Sequence, residues 1–229
     1  MWYDNLAPER SWTSLIGEYV SCQCAGIRKV DALCPACKSP PYDPTPQWVD
    51  FGNGEGCSVM PTFTGAEGRI EDYHLLALME REWTRSPTPT AAPSWLTSGT
   101  AERATVVLLF WIYFESRIRR VVDIGLQRLP DSIRQDLLNR YGTVTAQMRT
   151  LYEILFGVKY VDDLKSVGAE EIGGHLARVQ DARNRFMHGE PQALSDKLVA
   201  DVVHKLKDEH DAWIAVYNHR IANREVNAR

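Results

Sequence analysis

Length and composition place the chain among folded globular proteins. Its 229 residues suffice for one large domain or two small ones, and 44% of them are hydrophobic. The longest apolar run, residues 106–114, is far shorter than the roughly 20 residues that a membrane-spanning helix needs. The first ten residues lack the basic start and apolar core of a signal peptide. We therefore expect a cytoplasmic protein with no membrane contact.

The net charge of −4 is unevenly distributed along the chain. Residues 1–99 hold 7 Lys and Arg against 12 Asp and Glu, a net of −5, whereas residues 100–229 hold 19 against 18, a net of +1. This difference indicates two modules. No broad basic face for duplex nucleic acid is evident, so any contact with nucleic acid would depend on a local group of arginines.

The N-terminal part carries short apolar stretches that are typical of a small β-rich unit. Residues 47–51 and 57–63 are predicted as strands, and residues 69–83 as one helix. Three prolines between residues 87 and 94 exclude a helix there. We interpret residues 86–100 as a linker or an extended wrap across the second module.

From about residue 100 the apolar spacing becomes helical. Helices are predicted at 102–129, 131–141, 143–156, 169–187 and 193–224, with prolines and glycines at their ends. Short connections between long helices favour an antiparallel bundle. We expect three aromatic residues of the first of these helices to lie in the core, namely Trp111, Tyr113 and Phe114. We expect three histidines on the polar side of the last helix, namely His204, His210 and His219.

Four of the five cysteines are closely spaced. Cys22 and Cys24 form a Cys-x-Cys pair, and Cys34 and Cys37 form a Cys-x-x-Cys pair after nine intervening residues. This spacing supplies four thiolates to a tetrahedral zinc ion, and in a reducing compartment paired cysteines indicate metal more often than disulfide. Because four sulfurs leave no open coordination position, we predict a structural zinc site. Free buried thiols are the alternative.

Residues 183–189, RNRFMHG, are the main functional candidates of the helical half. The residue types suit a plain helix end, because arginine and histidine favour the negative end of the helix dipole and Gly189 caps the helix. The spacing is also common by chance. With 19 arginines and six histidines, one Arg-x4-His pair is expected about half the time, and Arg69 with His74 forms a second pair.

Sequence context distinguishes the two pairs. Asn184 follows Arg183 directly and lies four residues before His188, so Asn184 and His188 share a helix face. The stretch also ends the penultimate long helix of an all-α region. Residues 100–225, with Arg183, Asn184 and His188 as the motif, resemble a HEPN domain. The signature of that family is Arg, often a polar residue next, then four to six residues and His.

The resemblance covers the C-terminal half of the chain, and the zinc module lies outside it. We expect a mainly α protein, in which an antiparallel HEPN-like helical bundle at 101–229 follows a small β-containing zinc-binding module at 1–85 and a Pro-rich linker at 86–100.

The resemblance also implies a metal-independent endoribonuclease that acts as a homodimer, with two motif helices meeting at a two-fold axis. RNA supplies its own nucleophile, the 2′-hydroxyl, so the products would be a 2′,3′-cyclic phosphate and a 5′-hydroxyl. His188 is the candidate general acid or base, because histidine exchanges protons near neutral pH. Arg183 would stabilise the phosphorane charge, and Asn184 would orient His188 or a phosphate oxygen.

By analogy with the family, such an enzyme would be a toxin or an antiviral defence effector under the control of a regulatory protein or antitoxin. Some toxin-type members carry a tyrosine two residues after the histidine. This chain has Glu190 there, so regulation through that tyrosine is not expected. The neighbouring Arg185 and Asp181, four residues apart, are expected to form an ordinary surface pair.

Two other functions are compatible with the sequence. The first is a non-catalytic, zinc-containing helical adaptor that binds RNA or protein; the acidic balance favours it and the retained motif weighs against it. The second is a zinc-dependent enzyme with Cys57 or His74 as a substitute ligand. It is disfavoured, because four thiolates close the coordination sphere and no His-x-Glu deaminase signature is present.

Overall fold

The structure, a computed structural model, describes residues 12–22, 24–40, 47–52, 54–59, 69–85 and 101–222. The predicted linker at 86–100 and residues 60–63 of the second predicted strand lie outside the described residues. In the part of the chain that is described, no helix has both the length and the apolar character that crossing a membrane requires.

The described N-terminal residues form two small antiparallel hairpins and two helices. In chain order these are α1 (Thr13–Gly17), β1 (Tyr19–Ser21), β2 (Ile27–Lys29), β3 (Gln47–Asp50), β4 (Gly56–Val59) and α2 (Ile70–Thr84). β1 pairs with β2, with Val20 opposite Arg28, and β3 pairs with β4, with Val49 opposite Cys57. The predicted strand at 47–51 and helix at 69–83 are confirmed. β1 and β2 were not predicted, because three-residue strands are too short to show an alternating pattern.

The C-terminal residues are almost entirely helical. The elements are α3 (Ala104–Leu126), α4 (Asp131–Arg140), α5 (Val144–Ala146), a π-helical turn (Gln147–Leu151), α6 (Tyr152–Phe156), α7 (Tyr160–Ser166), α8 (Glu170–Met187), a 3-10 turn (Pro191–Ala193), α9 (Asp196–Tyr217) and a second π-helical turn (Asn218–Ala222). The structure is therefore mainly helical, with small antiparallel sheets near the N-terminus.

Three of the five predicted C-terminal helices, 102–129, 131–141 and 169–187, are confirmed to within a few residues. The helix predicted at 193–224 is confirmed over Asp196–Tyr217 and continues as the second π-helical turn at Asn218–Ala222. The helix predicted at 143–156 is interrupted by the π-helical turn at Gln147–Leu151, which apolar spacing alone did not indicate. The short helix α7 was not predicted, because only two of its apolar residues, Tyr160 and Leu164, are buried, and seven residues are too few to show a helical apolar spacing.

One contiguous hydrophobic core joins the two halves of the sequence. It includes Trp12, Tyr19 and Ile27 near the N-terminus, the buried face of α2, and most of the apolar residues of α3, α8 and α9. The predicted core residues of α3, Trp111, Tyr113 and Phe114, are all at most 2% exposed.

The prediction for one histidine of the last helix is wrong. His204 and His219 are exposed as expected, but His210 is only 1% exposed. Its Nδ1 lies 2.9 Å from the Tyr113 hydroxyl, and its ring packs against Tyr19. The reason is that β1 covers this side of α9, so the helix is buried on a face that its own sequence marks as polar. Burial lowers the pKa of His210 well below its usual value.

Candidate functional site

Two tight turns of the backbone bring the four predicted cysteines together. In the β1–β2 turn the Cys22 amide donates to the Gly26 carbonyl at 2.7 Å, and the Ala25 amide donates to the Cys22 carbonyl at 2.9 Å. In the second turn the Lys38 amide donates to the Cys34 carbonyl at 2.9 Å. Ala25 and Lys38 both adopt positive φ angles, 63° and 61°, which tighten these turns.

The sulfur atoms lie close enough to bind one metal ion. The Sγ atoms of Cys22 and Cys37 are 3.5 Å apart, as are those of Cys24 and Cys34, and all four lie within 4.8 Å of one another. Four sulfurs at about 2.3 Å from a tetrahedral zinc ion are about 3.8 Å apart, so the donor set fits that geometry. The predicted cluster is therefore confirmed as a possible metal site. Cys57 and His74 are exposed, lie on β4 and α2, and are not part of it.

The thiols of the cluster have different proton affinities. Burial raises the pKa of Cys24 to about 12 and also raises that of Cys34. Hydrogen bonds from the Ser39 hydroxyl and amide lower the pKa of the exposed Cys37 to about 6. Four thiolates this close repel one another, so a cation is needed to hold all of them deprotonated.

The cysteine cluster is attached firmly to the last helical segment. The Asn218 side chain accepts a hydrogen bond from the Ile27 amide at 2.7 Å and donates one to the Ile27 carbonyl at 2.6 Å. A Cβ atom at Gly26 would lie 3.2 Å from Cys24 Sγ and 3.3 Å from the Ala222 Cβ. Any larger residue at position 26 would therefore crowd Cys24 and Ala222, which would have to shift by a few tenths of an ångström.

The predicted catalytic residues lie at the C-terminal end of α8. The helix ends at Met187, and the His188 amide donates to the carbonyls of Asn184 and Arg185 at 3.0 and 3.1 Å. Gly189 follows with a φ of 92°, a conformation that glycine adopts without strain. The helix thus stops at the candidate histidine.

The side chains of the motif are accessible to solvent. Asn184 and His188 are exposed and Arg183 is partly buried. Arg183 Nη1 donates to Asn184 Oδ1 at 3.2 Å, which orients the guanidinium along the helix surface. Within the described residues no carboxylate pairs with Arg183. One chain alone brings the side chains of Arg183 and Asn184 into contact and places His188 at the helix end, four residues after Asn184.

Arg185 has a different environment from Arg183. It contacts Glu190 Oε2 with Nη2 at 2.7 Å and with Nε at 2.8 Å, and Asp181 lies 4.0 Å away. The predicted pairing of Asp181 with Arg185 is therefore confirmed, although Glu190 is the closer partner. The sequence did not indicate that Glu190, two residues after His188, would neutralise this arginine.

A cavity of about 300 Å³, which we call the α8 cavity, opens along the same helix. Its walls come from α3, α5, the π-helical turn, α7 and α8, and include Gly173, Ala177 and Gln180 of α8. The sequence analysis missed it, because residues from separate elements form it. The one available signal was the pair of small residues, Gly173 and Ala177, four positions apart on a predicted helix.

These features define a mainly helical protein with a four-cysteine cluster and an exposed Arg-Asn-x3-His motif at a helix end. Comparisons with known protein families, curated proteins and solved structures found no match for the chain.

Proposed function

We propose that this protein is a metal-independent endoribonuclease with a HEPN-like helical bundle, and that the C-terminal end of α8 is its catalytic surface. The observation that carries the proposal is the contrast between the two arginines of the motif. Arg185 forms an ion pair with Glu190, whereas Arg183 has no carboxylate partner among the described residues and donates a hydrogen bond to Asn184. A guanidinium without a carboxylate partner is available to a phosphate.

The residues have complementary roles in the proposed reaction. Arg183 binds the non-bridging phosphate oxygens and stabilises the charge that develops as the 2′-hydroxyl attacks. His188, exposed at the helix end, accepts the 2′-hydroxyl proton or donates a proton to the 5′-oxygen that leaves. The bond from phosphorus to the 5′-oxygen breaks as the bond to the 2′-oxygen forms. Asn184 holds Arg183 in position through its side-chain oxygen.

A homodimer would complete this surface. One imidazole leaves one of the two proton transfers without a catalyst, and a two-fold axis beside α8 would add a second His188. The exposure of Asn184 and His188 in one chain is compatible with such an arrangement, because neither is enclosed by its own fold.

The cysteine cluster has a structural role in this proposal. Its four thiolates would hold a zinc ion and leave no open coordination position, so the metal stabilises the hairpin and takes no part in cleavage. Thiol ligands need a reducing compartment, which favours the cytoplasm. We further propose that the biological role is that of a toxin or antiviral effector restrained by a regulatory protein. That role rests on family analogy alone.

End-group analysis of RNA cleaved by the purified full-length chain tests the proposal. We expect 2′,3′-cyclic phosphate and 5′-hydroxyl ends, formed without added metal, and a loss of about 10²–10⁴-fold in rate for His188→Ala. His204→Ala, which removes an exposed histidine of α9, is the matched control. Cleavage by His188→Ala at the wild-type rate would exclude the proposed role. RNA binding without cleavage would instead favour the non-catalytic adaptor.

A further inference from the structure

The α8 cavity has the size of a small-molecule site. Its volume is about 300 Å³, at the lower end of the range for ligand pockets. Trp111, Met148 and Leu176 give it an apolar lining. Gly173 and Ala177 contribute almost no side chain, so they leave the space beside α8 open. A flat aromatic group could enter between these residues.

The polar residues of the α8 cavity favour an anionic ligand. Arg149 and Lys159 are exposed among its lining residues, and within the described residues neither forms an ion pair. The described lining contains no Asp or Glu, although the chain as a whole carries a net charge of −4. Gln180 donates a hydrogen bond from Nε2 to the Thr145 hydroxyl, and both side chains line the cavity.

The π-helical turn contributes directly to this cavity. Two of its residues, Met148 and Arg149, are among the lining residues. Single π-helical turns inside helices occur frequently at functional sites, because the wider turn redirects side chains that a regular helix would place elsewhere. This departure from regular helix geometry therefore lies at the cavity and not at a neutral position of the bundle.

The α8 cavity is aligned with the proposed catalytic surface. Gly173, Ala177, Gln180 and Asn184 follow one another at intervals of four, three and four residues, which places them on one line along the helix. Gln180 and Asn184 are about 6 Å apart along the helix axis. The cavity therefore lies on the same face of α8 as Asn184, about one helical turn before it.

We propose that the α8 cavity holds the base and sugar of one nucleotide, with Arg149 and Lys159 binding its phosphate. The ligand class is a phosphorylated nucleoside, either free or as one unit of a single-stranded RNA. For the RNA case the inference rests on the proposed function, and the bound nucleotide is a neighbour of the one cleaved. Gln180 and Thr145 offer amide and hydroxyl groups to the base edge, as single-stranded RNA recognition requires.

Binding measurements on the full-length His188→Ala chain, which would bind without cutting, test this inference. The probes are the four nucleoside 5′-monophosphates, inorganic phosphate and a short single-stranded RNA of mixed sequence. Ala177→Phe, which fills the cavity without changing the motif, should weaken RNA binding by about tenfold or more. The double variant Arg149→Gln/Lys159→Gln should weaken it by a similar factor at low salt. Arg128→Gln/Lys197→Gln removes the same charge from exposed positions elsewhere and should change binding by less than about twofold.

The probes distinguish the two sources of the ligand. Binding of a monophosphate that Ala177→Phe abolishes identifies a free-nucleotide site, whereas binding of the RNA alone identifies a subsite for a chain. The inference would be overturned if Ala177→Phe kept the wild-type melting temperature and the wild-type affinity for both the monophosphates and the RNA. If Ala177→Phe does not fold, the same result for Gln180→Leu would overturn it. So would equal losses in the Arg149/Lys159 and Arg128/Lys197 variants, which would indicate a general charge effect.

The outcome is separable from that of the proposed function. If His188→Ala abolishes cleavage and the cavity variants bind nucleotide and RNA as the wild type does, the endoribonuclease proposal is supported and the nucleotide subsite is rejected. If the cavity variants lose nucleotide binding but the wild-type chain cleaves no RNA, the nucleotide site is supported and the endoribonuclease proposal is rejected.

Discussion

The cysteine cluster and the end of α8 differ in how much of each site a single chain builds. The cluster is complete within one chain: four sulfurs converge, and Asn218 fixes the hairpin to the last helical segment. The end of α8 is open, with Asn184 and His188 exposed to solvent. A site of the first kind contributes to the stability of the fold, whereas one of the second kind remains available to a substrate or a second chain.

The largest effect is expected at the cluster. Cys34 is fully buried, so Cys34→Ser removes a ligand that no neighbouring residue can replace. We expect a loss of more than about 3 kcal/mol in the free energy of unfolding, part of the roughly 10–16 kcal/mol that zinc supplies in zinc-finger peptides. Chemical denaturation, with metal analysis of the purified chain, measures both changes. Cys57→Ser, which alters an exposed cysteine outside the cluster, should change neither; equal melting of the two variants would contradict a structural metal.

At the end of α8, a comparison of Arg183 with Arg185 gives a sharp test. Arg183→Gln should lower the rate of RNA cleavage by about 10²–10³-fold, the usual cost of removing one donor to a developing charge. Arg185→Gln breaks the contact with Glu190 and should leave the rate within about threefold of wild type, because surface ion pairs contribute little. Single-turnover kinetics at saturating enzyme measures both. If Arg185 proved the more important residue, the proposed assignment would be reversed.

The sequence predicted the two regions for different reasons. Cysteine spacing is a local pattern, so the four cysteines of the possible metal site were identified and converge as expected. The Arg-Asn-x3-His motif was also identified from a local pattern, but its function depends on the residues that surround it in the folded structure. The ion pair of Arg185 with Glu190 and the α8 cavity are formed by contacts that residue spacing does not encode.

Burial of α9 illustrates the same limit. Most of its length was predicted, but His210 was placed on the polar side, because the hairpin that covers it comes from residues almost 200 positions earlier. The π-helical turn was missed because it differs from a regular helix in hydrogen bonding and not in apolar spacing. Local pattern thus predicted most helices, and long-range packing decided which polar residues are buried.

Acid should destabilise the fold through a buried histidine of α8. His175 lies on α8 upstream of the motif, is fully buried, and has no hydrogen-bond partner for either ring nitrogen among the described residues. Burial lowers its pKa to about 4, below the usual value near 6.5. The unfolded chain therefore binds the proton more readily, and stability falls as the pH drops from about 6.5 towards 4, by about 3 kcal/mol at most.

His175→Leu checks this expectation. Leucine cannot be protonated, so the free energy of unfolding should depend less steeply on pH between 4 and 6.5 than in the wild type. The acid sensitivity that remains is expected from His210, whose pKa burial also lowers. His204→Leu changes an exposed histidine and should leave the pH dependence as it is. An unchanged slope in His175→Leu would show that this ring is not the acid-sensitive group.

The smallest expected effect concerns the connection between the cysteine cluster and the helical bundle. Asn218→Ala removes both hydrogen bonds to the Ile27 backbone, and we expect a loss of about 1–3 kcal/mol in the free energy of unfolding, because partly buried backbone groups lose their partners. Asn139→Ala, at an exposed position of α4, is the matched control and should have little effect. Thermal unfolding of both variants, with and without bound metal, gives the coupling between the two regions. If the loss were the same in the metal-free and metal-bound chains, the hairpin would be held by Asn218 independently of the cluster, and the metal would stabilise the turns alone.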